Sequence, residues 1–365
     1  MFFVLFRVSG TILHTYCTWR LSRLPWIERR VGRRRFWVGS LLFWLVCLIG
    51  LFRVGFLPWE VAFHLHRFAI AWLILLFLLT LSLLVVEFLT GFGLWFDDRV
   101  ASRWRGRALV AALLLAMAAS WQGHQPPEVS SEEVTLPGLP PQLDGLVVVA
   151  LSDLHVGGGT DVHWLTERVE QVAALRPDLI LLLGDLIDGD PDAIEGLLPA
   201  FSGFSAPLGV WAVTGNHEFI SFLDGKLRLL EAAGGRWLRD RSVEVAPGLV
   251  LTGIDDRWKK VPGLLGGVLG ARPAGASILL SHRPDEVPVA VDGGVGLMLS
   301  GHTHGGQVWP FGLAVKVIFP YLEGRYTEAG TTILVSRGAG VWGARMRLWR
   351  PGNLLKVTLR APPGG

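Results

Sequence analysis

The amino-acid sequence predicts an α/β domain with a largely parallel sheet, preceded by a helical membrane region. Short, continuous apolar runs such as residues 146–151 and 178–183 are typical of strands that are covered on both faces. Helix-like segments lie between several of these runs, which favours βαβ units with right-handed crossovers. Residues 1–121 differ in composition, because they are rich in Leu, Phe, Trp and Arg.

Long apolar segments lie in this N-terminal region. Residues 36–52 carry no charge, and residues 69–86 are apolar up to Glu87. Each is long enough to cross a hydrocarbon core of about 30 Å at about 1.5 Å per residue. Residues 108–121 are either a third span or a signal-type segment with a small-residue cleavage site at 116–118. The sequence therefore predicts two or three spanning helices within residues 1–121, and it places the first sixteen residues at the membrane interface.

The distribution of arginine predicts the orientation in the cell membrane. Five arginines lie between residues 29 and 35 and four between residues 99 and 107, whereas the connection 57–67 has one. Because cytoplasmic segments collect Lys and Arg, the segment before the first span is expected in the cytoplasm. With two or three spans the protein is expected to be multi-pass, and a third crossing would place everything after residue 121 on the extracytoplasmic side. Residues 122–145, rich in Pro, Ser and Glu, are expected to be a linker in which residues 133–136 are a candidate edge strand.

The net charge and the cysteine content exclude only a few classes of partner and site. The formal net charge is +3, and arginines of the membrane region account for much of the basic character. No nucleic-acid partner is therefore predicted. Cys17 and Cys47 both lie in the N-terminal region, so the C-terminal domain has neither a disulfide nor a thiolate site.

Polar side chains follow the predicted strands of the C-terminal domain. Strands are expected at residues 146–151, 178–183, 209–214, 248–254, 277–280, 295–299, 332–335 and 354–359. Five of these strands are followed by Asp, His or Asn residues beside Gly or Ser: Asp153, His155, Asp185, Asn216, His217, His282, His302 and His304. In open α/β sheets this edge is where ligands bind, and His and Asp are common metal ligands. His163, in a helix expected at 161–175 with Thr160 as its cap, is interpreted as an ordinary histidine.

In chain order these residues form Asp-x-His, Gly-Asp, Gly-Asn-His-Glu, a single His and Gly-His-x-His. This pattern resembles that of the calcineurin-like metallophosphoesterases over roughly residues 146–359. Residues 281–284 and 301–307 are similar to the bacterial membrane-anchored branch of the YkuE and YaeI type. The resemblance implies a two-sheet β-sandwich flanked by helices, in a catalytic domain at residues 146–365. Residues 350–352 depart from the Arg-Pro-Glu of that branch, far from the ligand motifs.

The resemblance also implies roles for the motif residues. Two divalent metal ions would be held by three groups of ligands: Asp153, His155 and His304 for the first, Asn216, His282 and His302 for the second, and Asp185 as a bridge. His217 would be catalytic, contacting the phosphate and assisting the leaving oxygen, with Glu218 or Asp188 to orient it. The mixture of His, Asp and Asn suits Mn, Fe or Zn better than Ca or Mg.

The predicted function is a membrane-anchored, metal-dependent phosphoesterase that acts on a phosphate mono- or diester. A lipid or envelope phosphate is favoured, because the domain is tethered near the bilayer. Aromatic residues that follow the His302 loop either contact lipid or pack in the core: Trp309, Phe311, Phe319 and Tyr321. Arg283 and Arg325 are candidates for phosphate binding. The alternatives are a nucleotide or UDP-sugar-lipid pyrophosphatase, and a non-catalytic membrane binding or scaffold protein with a relict site.

Overall fold

The computed structural model describes residues 2–52, 57–93, 95–96, 98–257 and 261–363. The chain divides into two compact units: Met1–His124 with Gly343–Leu348, and Gln125–Trp342 with Trp349–Gly365. The first is called the helical unit below, and the second the catalytic unit.

The described residues of the helical unit form five α-helices: α1 (Phe2–Leu21), α2 (Pro25–Arg30), α3 (Arg33–Phe52), α4 (Trp59–Leu89) and α5 (Asp98–Gly123). Among the described residues, three helices are long and apolar enough to cross a membrane: Arg33–Phe52, Val61–Leu89 and Arg99–Gly123. The third apolar segment of the sequence is therefore part of a helix of 26 residues.

Helix α1, which contains most of the sixteen residues predicted to lie at the membrane interface, packs on another helix of the helical unit. It runs along α4, since Cys17 Sγ lies 3.3 Å from Thr80 Oγ1 and Arg20 pairs with Glu87 at 3.1 Å. Arg7 donates a hydrogen bond of 3.1 Å to a backbone carbonyl near the end of α3. α1 is thus packed lengthwise within the helical unit.

An ion cluster joins three of these helices. The carboxylate of Glu87 is fully buried and pairs with Arg20 of α1 and, at 2.7 Å, with Arg105 of α5. Both guanidinium groups are themselves largely buried. Arginines from the N-terminal segment and from the connection before the third span therefore meet at one end of α4.

The catalytic unit consists of two six-stranded sheets with flanking helices. The strands are β1 (Glu128–Thr135), β2 (Val147–Leu151), β3 (Leu179–Leu182), β4 (Val210–Ala212), β5 (Arg236–Trp237), β6 (Arg241–Ala246), β7 (Leu249–Ile254), β8 (Ala276–Ser281), β9 (Leu297–Ser300), β10 (Gly324–Glu328), β11 (Thr331–Val335) and β12 (Asn353–Arg360). The helices are α6 (Val162–Ala174), α7 (Leu197–Ser202), α8 (Leu223–Ala232), α9 (Leu264–Gly270), α10 (Val287–Asp292) and α11 (Gly312–Ile318).

The order of the first sheet is β1-β12-β2-β3-β4-β5, and that of the second is β10-β11-β9-β8-β7-β6. β2 to β5 are mutually parallel, as are β7, β8, β9 and β11. Apolar side chains of both sheets form one buried core, to which Val148 and Leu181 contribute from the first sheet and Leu251 and Leu280 from the second. This arrangement confirms the predicted two-sheet α/β fold, and it brings the carboxyl ends of the parallel strands together.

Several local predictions need correction. Residues 128–135, within the expected linker 122–145, form β1, which pairs along its whole length with β12. α6 is capped by Asp161, whose side chain accepts from Trp164 N at 2.8 Å, whereas the Thr160 hydroxyl donates to a carbonyl. The side chain of His163, interpreted as an ordinary histidine that is either at the surface or packed, is 86% exposed and therefore lies at the surface.

Candidate metal centre

The strand ends bring the predicted site residues together. Asp153 and His155 follow β2, Asp185 follows β3, and His282 follows β8 directly. Asn216 and His217 follow β4, and His302 and His304 follow β9. Three groups have ligand atoms within 4.8 Å of one another: Asp153, His155 and His304; His155, Asp185 and His217; and Asp185, His282 and His302.

The first group lies at the ends of β2 and β9. His304 Nε2 is 3.3 Å from Asp153 Oδ1, and His155 Nε2 is 3.9 Å from the same oxygen. The two imidazole rings are stacked with centroids 5.3 Å apart. Three donor atoms therefore face one small volume.

Asp185 lies between this group and the group from the second sheet. Its Oδ2 is 3.9 Å from His155 Nε2 and 3.2 Å from His282 Nε2. The ring of His302 meets that of His282 edge to face, with centroids 5.1 Å apart. One carboxylate thus contacts ligand candidates of both groups.

Hydrogen bonds outside the cluster fix the orientation of these side chains. His282 Nδ1 donates to the Leu183 carbonyl at 2.7 Å, so Nε2 is the ring nitrogen that faces Asp185. Asp153 Oδ2 accepts from the Ser152 hydroxyl at 2.5 Å, and Asp185 Oδ1 accepts from a backbone N–H at 2.7 Å. In residues that bind a metal, the ring nitrogen or carboxylate oxygen that does not contact the ion characteristically forms a hydrogen bond of this kind. Ser152 was missed by the sequence reasoning, although its position beside Asp153 was a signal.

The donor atoms that remain fit divalent cations. Asp153 Oδ1, Asn216 Oδ1 and His282 Nε2 are buried and have no hydrogen-bond partner among the described residues. Buried polar atoms are normally satisfied, so oxygen and imidazole donors left without partners indicate a bound ion. Burial opposes the charged form of His282, but Asp185 and Asp153 outweigh it and raise its pKa to about 10. The buried carboxylates thus stabilise positive charge, and the His and Asp clusters suggest a dimetal site.

The hydrogen bonds of His217 show which of the two predicted acids, Asp188 or Glu218, orients its ring. Its Nδ1 donates to Asp188 Oδ1 at 2.6 Å, and the other oxygen of Asp188 lies 3.2 Å from His155 Nδ1. Glu218 instead accepts three backbone N–H groups, including those of Asp185 and Gly215, at 2.7–2.9 Å. Burial lowers the pKa of His217, but the charges of Asp185 and Asp188 outweigh it and raise that pKa to about 9.

Five candidate ligands have a left-handed backbone, which the sequence reasoning did not foresee. Asp153, His155, Asp185, His302 and His304 have φ values of 56°, 47°, 53°, 70° and 51°. Such values are uncommon outside glycine, and strained backbone clusters at functional sites. The strand ends turn sharply at the residues whose side chains face the cluster.

The two arginines proposed for phosphate binding occupy different environments. Arg283 pairs with Asp256, donates to the carbonyl of Arg257 at 3.2 Å and lines a cavity of about 270 Å³. Arg325 donates to Glu132 at 3.3 Å and to the carbonyl of Glu133 at 2.8 Å. Both guanidinium groups are thus engaged by an acid and a carbonyl, and Arg283 is the one that directly follows a candidate ligand, His282.

Comparison with known proteins decides the family. A family model for calcineurin-like phosphoesterases matches residues 146–306. The chain is 33% identical to a metallophosphoesterase of Aquifex aeolicus, over 58% of this chain and 84% of that protein. It is 30% identical to YkuE of Bacillus subtilis, over 61% of this chain and 82% of that protein. The chain belongs to the calcineurin-like metallophosphoesterase family.

Similarity extends to proteins with membrane segments. A bovine transmembrane protein with a metallophosphoesterase domain is 30% identical over 70% of this chain, and the match spans 62% of that protein. The crystal structure of a dimetal phosphatase from Danio rerio is similar over 54% of this chain and 88% of that chain, with 14% identity and a TM-score of 0.36. The match to the family model identifies the catalytic unit as a calcineurin-like phosphoesterase domain, and the apolar helices indicate a membrane protein.

Proposed function

We propose that this chain is a membrane-anchored phosphoesterase that hydrolyses a phosphate ester with a metal-activated water. The observation that carries the proposal is the buried cluster of Asp and His side chains, in which several donor atoms lack protein partners. A relict scaffold would be expected to lack some ligands, and each residue of the expected set is present. We retain the expected division into a membrane region up to residue 121 and a catalytic domain from residue 146, with the segment between them adding an edge strand.

We assign the ligands as the motif pattern implied. Asp153, His155 and His304 would hold one ion, Asn216, His282 and His302 the other, and Asp185 both. The position of Asp185, within 3.9 Å of His155 and 3.2 Å of His282, supports its bridging role. The ligand set favours Mn, Fe or Zn. When bound, two such ions lower the pKa of water and neutralise charge on the phosphoryl group.

The remaining side chains position the substrate and move a proton. His217 is held by Asp188 with Nε2 directed towards Asp185 at 4.0 Å, so this nitrogen faces the cluster. As an imidazolium it would contact the phosphate and donate its proton to the leaving oxygen, an effect of about a hundredfold or more. Asn216 supplies a neutral oxygen, which limits the negative charge that faces an anionic substrate.

Hydrolysis of an aryl phosphodiester by the full-length protein with added Mn²⁺ tests this proposal. Turnover that depends on Mn²⁺ and falls in His217→Ala is expected. Metal-bound protein that shows no turnover on mono- or diesters would leave the scaffold alternative. Side-by-side tests of extracted lipids, nucleotides and UDP-sugar lipids would then separate a lipid phosphoesterase from a pyrophosphatase.

We also propose a multi-pass topology with the catalytic domain on the extracytoplasmic side. The meeting of Arg20 and Arg105 on Glu87 supports a shared, cytoplasmic end for both arginine clusters. A C-terminal alkaline phosphatase fusion should be active and a C-terminal green fluorescent protein fusion dark. The opposite pair of results would reverse the orientation.

A further inference from the structure

An exposed apolar surface surrounds α11 in the catalytic unit. Leu313, Val317 and Ile318 are 67%, 84% and 65% exposed, and Trp309 and Phe311 beside them are also exposed. α11 therefore presents apolar side chains to its surroundings along its length. Contiguous apolar surface of this kind marks an interaction site, whereas scattered exposed apolar residues need no explanation.

This surface is joined to the candidate metal centre. α11 follows the loop that carries His302 and His304 within ten residues of sequence. Phe319, at the end of α11, packs edge to face on the ring of His302 with centroids 5.0 Å apart. Gly306 and Gly312 are so close that a Cβ on Gly306 would lie 2.2 Å from Gly312 Cα. A ligand resting on α11 would thus lie beside the ligand loop.

The chain joins the catalytic unit to the helical unit through short connections. α5 ends at Gly123 and β1 begins at Glu128, a span of at most about 18 Å at about 3.5 Å per residue. Trp349 directly follows the segment Gly343–Leu348 of the helical unit. The ring of Trp309 packs against that of Trp349 with centroids 5.5 Å apart. Tryptophan is enriched where protein meets the lipid headgroups.

The charge of the surface suits an anionic lipid. Residues 307–322 contain no Asp or Glu, and Lys316 is their one basic residue. Lys316 is exposed on α11 between apolar neighbours. A lysine can bury its methylene chain in an apolar layer while its ammonium group reaches a phosphate.

The geometry points to a lipid bilayer as the occupant of this surface: Trp309, Phe311, Leu313, Val317, Ile318 and Trp349 rest in the boundary between headgroups and acyl chains. The membrane contact stands without the proposed function. A second statement does rest on that function: the substrate is the phosphate ester of a membrane lipid, and the bilayer contact presents it to the loop that carries His302.

Bromolipid quenching tests the contact in full-length protein, one molecule per nanodisc. A fluorescent label on Val317→Cys is compared with one on Leu198→Cys, an exposed residue of α7. Cys17 and Cys47 are buried and are the only native cysteines. Lipids brominated near the glycerol should quench the label at 317 at least threefold more than that at 198. Equal quenching of the labels at 317 and 198 overturns the inference. Protection of the label at 317 that appears only when two molecules share a disc overturns it as well.

Hydrolysis tests this second statement separately. Val317→Asp should lower tenfold or more the ratio of turnover on phosphatidic acid or phosphatidylglycerol vesicles to turnover on an aryl phosphodiester. Leu198→Asp should leave this ratio unchanged. An unchanged ratio in Val317→Asp contradicts delivery of lipid by this surface. Failure of the wild type on every ester contradicts the proposed function instead, and quenching still decides the membrane contact.

Discussion

Replacement of Gly301 by alanine tests whether the ligand loop depends on the close approach of two strand ends. A Cβ on Gly301 would lie 1.7 Å from Ser152 Oγ and 2.6 Å from Asp153 Oδ2, below the 3.0 Å that real Cβ contacts respect. Ser152 is fully buried and donates to Asp153. The hydroxyl therefore cannot move aside without breaking that hydrogen bond, and the Asp153 carboxylate must shift as well.

The expected magnitude follows from these contacts. Overpacking a buried site costs about 1–3 kcal/mol, and a lost hydrogen bond to a charged group costs about 1.5–3 kcal/mol. A combined loss of about 3 kcal/mol lowers the melting temperature of a unit of this size by about 6–12 °C. Displacement of the Asp153 carboxylate should also weaken Mn²⁺ binding about tenfold or more, since 1.4 kcal/mol corresponds to tenfold.

Gly267→Ala provides the matched control. A Cβ on Gly267 meets nothing within 4 Å, and alanine in a helix is favoured over glycine by up to about 1 kcal/mol. Thermal unfolding of the full-length variants in detergent and calorimetric Mn²⁺ titration provide the measurements. Ser152→Ala combined with Gly301→Ala removes the closest atom and should recover part of the stability. Equal melting temperatures and Mn²⁺ affinities for Gly301→Ala and Gly267→Ala would refute the reasoning.

Four further substitutions separate the roles of individual side chains. Asp185→Asn should lose bound metal, measured by mass spectrometry of the elements, together with turnover; a metal-loaded, active variant contradicts bridging. His217→Ala should keep its metal while kcat falls about a hundredfold or more; loss of metal would make this histidine a ligand. Glu218→Gln replaces one acceptor oxygen by a donor, so a buried backbone N–H loses its acceptor at a cost of about 1–3 kcal/mol. Denaturant unfolding should show this decrease in the free energy of unfolding, and an unchanged value would contradict the assignment. Glu87→Ala leaves two buried guanidinium groups unpaired, for which about 3–5 kcal/mol is typical; an unaltered melting temperature of the helical unit in detergent would show that the cluster is not stabilising.

The central strands could be predicted from the sequence because they are buried on both faces. β2, β3, β7 and β8 are entirely or almost entirely buried; β2 and β3 are continuous apolar runs, and β7 and β8 are mostly apolar. Edge strands lack this signal, because one face is solvated. β10 is mostly exposed and polar, and it was missed. β1 was anticipated only in part, as a candidate edge strand at residues 133–136 of a polar linker, because most of its residues are exposed and its pairing with β12 defines its full length.

The candidate ligands could also be predicted from the sequence. The hydrogen-bond partners that orient the side chains of the site could not. The carboxyl ends of parallel strands necessarily meet, so the Asp and His motifs there were expected to converge. Which acid orients His217 depends on a loop path that periodicity does not encode. Asp188 reaches His217, whereas the carboxylate of Glu218, adjacent in sequence, turns back to the backbone. Neighbours in sequence are poor guides where the chain turns sharply.

The left-handed backbone and the hydrogen bonds around the cluster have one physical explanation. A residue that leaves a strand in extended conformation directs its side chain above or below the sheet, not towards the edge. Positive φ at Asp153, Asp185 and His304 turns those side chains towards the edge, at a cost of about 1–3 kcal/mol each. Bonds such as Ser152 to Asp153 and His217 N to Asp185 offset part of that cost and fix one oxygen of each carboxylate. The other oxygen is then left in a fixed position facing the cluster, which is the preorganisation that tight binding of a cation requires.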